Sequence, residues 1–224
     1  MTLDDMDISR ILRRALSGGG EFADLYFEEG SSTAVVCEEG KIEKIVAGTD
    51  RGVGIRVISD LRTAYAYTNE ITEAALLDLA GTVSRAVRGR EFGAAIDMRK
   101  KIAAAGFPVA VSPETVPLQD KVALVRRADE AARGMDGRVR QVMVVYRDGR
   151  VKTQIANSLG DFIETGRTGT VFLTQVVASQ GDVIQTGYEP IGACRGFELF
   201  GERSPEEVAC AAAGRALLML SAAK

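Results

Sequence analysis

Histidine is absent from the 224 residues. That removes the commonest general base, the usual partner of a nucleophilic Ser or Cys, and the commonest zinc ligand, which argues against an autonomous hydrolase. Cysteine is scarce: Cys37, Cys194 and Cys210 are odd in number and far apart, a pattern that predicts reduced, mostly buried thiols rather than a disulfide framework. Long apolar runs are missing too. No stretch approaches the roughly 18 residues a spanning helix needs, and the first ten residues, MTLDDMDISR, are acidic where a secretory signal would be basic and then apolar. A cytoplasmic protein without a membrane partner is the expectation. Neither charge sign dominates, since 31 acidic residues face 28 basic ones for a net charge of -3. No overall positive field therefore draws the chain to nucleic acid.

What is present suits a globular fold with a substantial core: 46% of residues are hydrophobic and 26% charged. Ile8, Ile11, Leu12, Ala15 and Leu16 form a helical stripe ended by Gly18, Gly19 and Gly20. Five strand-like segments follow, EFADLYFE, STAVVCEE, KIEKIVAG, RGVGIRVIS and RTAYAYT, with turns expected at Glu39-Gly40, Asp50 to Gly52 and Asp60. A second helix starts near Thr72 and buries Leu76, Leu79, Ala80, Val83 and Val87. Three of the five prolines (Pro108, Pro113 and Pro117) then mark a connector. Beyond it the order restarts. A helix carries Leu118, Val122, Val125, Ala128 and Ala132. Five more strand-like segments follow, with a turn expected at Asp148-Gly149, and the last helix opens on Ser204-Pro205-Glu206-Glu207, a capping box with proline at its first position. VVCEEGKIEKI and VVYRDGRVKTQI look like copies of one hairpin arm. The expected fold is α+β, internally duplicated as helix, antiparallel meander, helix, with the helices packed on mostly antiparallel sheet. The expected division is a first half at 1–88, a connector at 89–117 and a second half at 118–224.

Local motifs offer little chemistry. Gly40-Lys41 and Gly52-Val53-Gly54 fail as phosphate loops and read as hairpin glycines. Arg85, Arg88, Arg90, Arg99, Lys100 and Lys101 form a basic cluster that Glu91 and Asp97 interrupt. The segment TGYEPIGACRGFELFGERS, rich in glycine, offers Tyr188, Arg195, Phe197 and Glu198 as candidates for a substrate path or an interface. An ordinary connector before Ser204 is the competing reading.

Five stretches, ADLYFEEG, VVCEEGKIEKI, GTDRGVGIRVISDLRTAYAYTNEITEAALLDLA, IANSLGDFIETGRT and GACRGFE, together resemble the N-terminal domain of the TldD/PmbA family, the TldD branch in particular. The resemblance implies a cytoplasmic zinc metallopeptidase of the kind also called a modulator of DNA gyrase. Such enzymes act on peptides in maturation or degradation and assemble as homodimers or as heterodimers with a family relative. It implies equally that zinc, its HExxxH helix and a further Cys ligand belong to a domain expected to follow Lys224. No residue here matches that motif, so no catalytic or metal role is carried over. The expectation is a non-catalytic domain that shapes a substrate chamber and dimer interface, without a cofactor of its own. A standalone binding module that partners a catalytic relative is the alternative, and a DNA-binding protein a third.

Overall fold

The computed structural model describes residues 3–87, 96–102 and 107–222, with only the backbone at 101 and 102. The first run of elements is α1 (Ile8–Leu16), β1 (Phe22–Glu38), β2 (Lys41–Ser59), β3 (Arg62–Thr68) and α2 (Glu73–Ala86), followed by the short β4 (Arg99–Ile102). The second is α3 (Leu118–Gly134), β5 (Val139–Asn157), β6 (Asp161–Gln180), β7 (Val183–Ala193), the single turn α4 (Leu199–Glu202) and α5 (Pro205–Ala222). The α+β expectation holds, and helix, three strands, helix recurs in both runs. Neighbouring strands follow the order β3-β2-β1-β5-β6-β4, and β7 also pairs with β6. β2 with β3 and β6 with β7 are antiparallel, and β4 with β6 is parallel. No helix among the described residues is long and apolar enough to cross a membrane.

Where five short strands were expected in each half there are three, most of them long. Asp50 to Gly52 and Asp148-Gly149 lie inside β2 and β5 rather than in turns. Their polar side chains and glycines imitate a turn because these mid-strand stretches lack the alternation of a half-buried strand. The turn that matches Glu39-Gly40 is Ser158 to Gly160. Both Gly40 (φ 74°) and Gly160 (φ 92°) take the left-handed conformation that glycine adopts without strain. The two halves therefore align through these hairpin tips, not through VVCEEGKIEKI and VVYRDGRVKTQI.

The chain forms two compact units that do not follow its linear order. Unit 1 takes residues 1–30, 49–106 and 151–166; unit 2 takes 31–48, 107–150 and 167–224. The tip of the β1–β2 hairpin belongs to unit 2 and the tip of the β5–β6 hairpin to unit 1, so each run lends a hairpin tip to the other unit. The cores record this. In unit 1, Ala156 and Phe162 from the lent tip pack with Ile11, Leu12 and Leu16 of α1, Leu76, Ala80 and Val83 of α2, and Leu25, Phe27, Ile55 and Val57. In unit 2, Val35 and Cys37 pack with Leu124, Val125, Ala128 and Ala132 of α3 and Val208, Ala209, Ala212 and Ala216 of α5.

Helix ends follow the sequence closely. Thr72 Oγ1 accepts from the Ala75 amide at 3.2 Å. The capping box closes both ways, with Glu207 N donating to Ser204 Oγ at 3.2 Å and Ser204 N to Glu207 Oε2 at 2.7 Å. The expected stripe of α1 is wholly buried. In α2 Leu79 is only half-buried, and in α3 Leu118 is exposed and Val122 half-buried, while Leu124 and two charged residues, Lys121 and Asp129, face inward. Of the cysteines Cys37 is buried, Cys210 half-buried and Cys194 exposed, so only one fully meets the buried expectation. Burial, reinforced by nearby Asp129, pushes the Cys37 thiol pKa up and keeps it protonated.

Candidate functional site

The glycine-rich segment is less of a loop than its composition suggests. Gly187 to Ala193 complete β7, and only Cys194 to Glu198 connect it to α4. Tyr188 points outward from β7 and is 46% exposed. Arg195 pairs with Glu202 across α4, and its carbonyl accepts from Thr170 Oγ1 at 3.0 Å. Phe197 joins an aromatic cluster, its ring centroid 5.1 Å from Phe200 and 6.2 Å from Tyr146. Glu198 ties down a neighbouring segment: its carboxylate accepts from Val111 N at 2.9 Å and Gly196 N at 3.0 Å. Arg195, Phe197 and Glu198 thus share one connector, with Phe197 and Glu198 holding its shape.

Burial opposes the charge on Glu198, but the amides of Gly196 and Val111 outweigh it and hold its carboxyl below the usual range. A carboxyl depressed on folding stabilises above its unfolded pKa and loses that contribution as pH falls through the depressed value. The NMR shift of the Val111 amide is therefore expected to stay constant through mildly acidic pH and to move only below the ordinary glutamate range. A midpoint at or above that range would contradict the contact.

A different surface gathers more recognition chemistry. On the outer face of unit 1, strand alternation sends Ala23, Leu25 and Phe27 into the core and Asp24, Tyr26 and Glu28 outward. β3 repeats the pattern, with Ala64 buried and Tyr65 and Tyr67 outward. Between them β2 presents Gly52 and Gly54, so the middle strand carries no side chain there. The register sets Gly54 opposite Tyr67 and Arg56 opposite Tyr65. The Tyr65 ring lies across Gly54 so closely that a Cβ on that glycine would come 2.5 Å from the Tyr65 hydroxyl. A trough of about 640 Å³ results, lined by Tyr26, Glu28, Asp50, Arg51, Tyr65 and Tyr67 among others.

The tyrosines stay accessible, Tyr26 41%, Tyr65 60% and Tyr67 76% exposed, and Tyr65 stacks on Tyr67 with centroids 6.3 Å apart. Tyr26 donates to Glu28 Oε2 at 2.5 Å. Beside the trough Arg56 grips Asp24, its Nε 3.1 Å from Oδ1 and 3.2 Å from Oδ2, which raises the guanidinium pKa further. The close approach that Gly54 permits is that of the Tyr65 ring, and the exposed rings give the trough a large aromatic surface. The sequence does carry this signal: in YAY the two tyrosines sit two apart and so share a face, and the glycines of GVG do likewise. Reading Gly52 and Gly54 as turn residues hides it.

Of the basic cluster, Arg88 and Arg90 and the side chain of Lys101 lie outside the described residues. Lys100 pairs with Asp4 at 2.5 Å and Glu164 at 3.6 Å, and Arg85 donates to Thr82 Oγ1 at 3.2 Å.

Residues 23–90 match the family model for PmbA/TldA metallopeptidase domain 1, and residues 111–220 match that for the PmbA/TldA metallopeptidase central domain. The chain belongs to the PmbA/TldD metallopeptidase family. It is 28% identical over 207 residues to a metalloprotease of Methanothermobacter thermautotrophicus, covering 90% of this chain and 44% of that protein. It is 32% identical over 131 residues to the metalloprotease TldD homolog of Haemophilus influenzae, covering 54% and 26%. The chain thus spans less than half the length of these curated relatives. Among solved structures it resembles a protein of Thermotoga maritima described as a modulator of a DNA gyrase, with TM-score 0.71 and 21% identity over 89% of this chain and 45% of that one. TldE from Thermococcus kodakarensis is similar at TM-score 0.67 and 13% identity, over 94% and 46%. The family name implies a metal, but the described residues of this chain do not fit one. There is no histidine in the sequence, and no three Cys, Asp or Glu converge among the described residues.

Proposed function

We propose that this PmbA/TldD segment is a non-catalytic, peptide-engaging part of a TldD-like metallopeptidase, and that the tyrosine trough of unit 1 receives an extended stretch of polypeptide. The trough itself carries the reading: three exposed tyrosines flank a strand whose glycines put no side chain between them, and the Tyr65 ring rests on Gly54. Tyrosine offers large contact area at small conformational cost, which suits binding many sequences. Such a role agrees with the likeness to metalloproteases and with a donor set unsuited to zinc. Tyr188 and Arg195 of unit 2 are kept as a separate candidate for a substrate path or an interface, beside a connector shaped by Phe197 and Glu198. The division of the sequence at 1–88, 89–117 and 118–224 is kept as a proposal about how the duplication arose.

The test is binding of short unstructured peptides to this chain, followed by anisotropy. Replacing Tyr65 and Tyr67 together by alanine should weaken binding by about 1–3 kcal/mol, as for aromatic anchors at interfaces. Unchanged affinity in a folded double variant would sink the assignment.

A second reading, an assembly module that pairs with a family relative, draws on Leu218 and Met219 of α5, 68% and 47% exposed. A dimer that is lost on Leu218→Lys would favour it. A cytoplasmic setting and independence from nucleic acid belong to the same proposal, supported by the balanced charge.

A further inference from the structure

The trough carries charge as well as aromatic surface. Glu28 and Asp50 line it against one guanidinium, that of Arg51. Neither carboxylate forms an ion pair with a described Lys or Arg. Asp50 instead accepts from the Arg51 backbone amide at 2.9 Å, and Glu28 accepts from Tyr26. Among the described residues the cation–π contacts involve Phe162 and Tyr146, so no described Lys or Arg covers the faces of Tyr65 or Tyr67. One face of Tyr65 is laid on Gly54, where no Cβ intervenes, and its ring is held against Tyr67. Stacked electron-rich faces beside two carboxylates that no described Lys or Arg pairs with attract a cation and repel an anion.

We infer that the trough selects polypeptides bearing a cationic side chain, lysine or arginine, seated over Tyr65 and Tyr67 and facing Glu28 and Asp50. The inference rests on the peptide-engaging reading above and adds the substrate class to it. Uncharged apolar side chains would gain the ring contact alone, and acidic ones would meet repulsion.

Three labelled pentapeptides that differ only at the centre, Gly-Gly-X-Gly-Gly with X lysine, norleucine or glutamate, test it on the whole 224-residue chain. Lysine should bind roughly 5- to 30-fold more tightly than norleucine, the range expected of a partly desolvated cation–π site. Glutamate should bind most weakly, and added salt should narrow the lysine advantage. Glu28→Gln and Asp50→Asn, each an exposed and nearly isosteric change, should each reduce the lysine-to-norleucine ratio. If all three peptides bind equally and the Tyr65→Ala/Tyr67→Ala variant still weakens each, charge selection is wrong and peptide engagement survives. If none of them binds, both fall.

Discussion

Replacing Lys121 with methionine will lower the stability of the protein by about 3–5 kcal/mol, the cost of leaving a buried charge without its partner. Lys121 sits on the inward face of α3, and its side chain and that of Asp148 are each only 5% exposed. Its ammonium lies 2.6 Å from Asp148 Oδ2 on β5 and 3.3 Å from Thr33 Oγ1 on β1, and 5.6 Å from the centre of the Tyr146 ring. Tyr146, itself fully buried, donates its hydroxyl to the same carboxylate oxygen at 2.6 Å. Burial first, and the Asp148 hydrogen bond second, drive the Tyr146 pKa upward, so its hydroxyl is a donor at neutral pH. Methionine supplies the stem but not the charge, and Asp148 keeps one neutral donor in a dry site. Because the residues form one network, Lys121→Met combined with Asp148→Asn should cost clearly less than the two single changes added. Urea unfolding followed by circular dichroism measures both. A loss below about 1 kcal/mol, the median of an exposed pair, would mean that water reaches the network.

The second large effect is steric. Gly187 lies where β7 crosses α5, and a Cβ at this position would come 1.9 Å from the Ala212 carbonyl oxygen and 2.6 Å from the Ala216 amide nitrogen. Both obstacles are helix backbone, which cannot rotate away as a side chain can. The facing residues of α5 are already alanines, buried at positions 209, 212, 213 and 216, so nothing remains to be trimmed. Gly187→Val is therefore expected to cost about 3 kcal/mol or more, at or beyond the usual range for overpacking. Gly48→Val provides the contrast: a Cβ there meets no atom within 4 Å, and a β-branched residue suits an exposed strand. Thermal unfolding of the two variants should separate widely. Equal midpoints would refute the close packing of β7 on α5.

Much of this architecture was legible in the sequence where one physical rule acts alone. The α1 stripe, the Thr72 cap and the Ser204–Glu207 box are local arrangements, set by helical periodicity and by amides that need acceptors. Misreadings arose where tertiary context overrides local pattern. The inward Lys121 and Asp129 are charged, so hydropathy alone places the helical stripe of α3 on Leu118 and Val122 instead. Each long hairpin serves two units, and its polar middle looks like a turn because the alternation there is lost. No local pattern reveals that 31–48 and 151–166 change units, since that depends on contacts between residues distant in the chain, such as Gly40 with Asp129 and Ala23 with Ser158.

The site shows the same division. Glycine richness pointed to the Tyr188 to Glu198 region, yet Gly187 serves helix packing and Gly196 a close approach to Val111, where a Cβ would come 2.0 Å from the carbonyl oxygen. The trough was visible only as two spacings, Tyr65 with Tyr67 and Gly52 with Gly54, whose meaning depends on the β2–β3 register. Family resemblance pointed to the family but not to this surface.

The most direct measurement is amide hydrogen exchange of the whole chain with and without the lysine-centred pentapeptide at saturation. Added protection confined to Tyr26 to Gly30, Asp50 to Gly54 and Tyr65 to Asn69 is expected. Protection confined to other segments, or none at a concentration where anisotropy shows binding, would contradict the claim that the tyrosine trough holds the peptide.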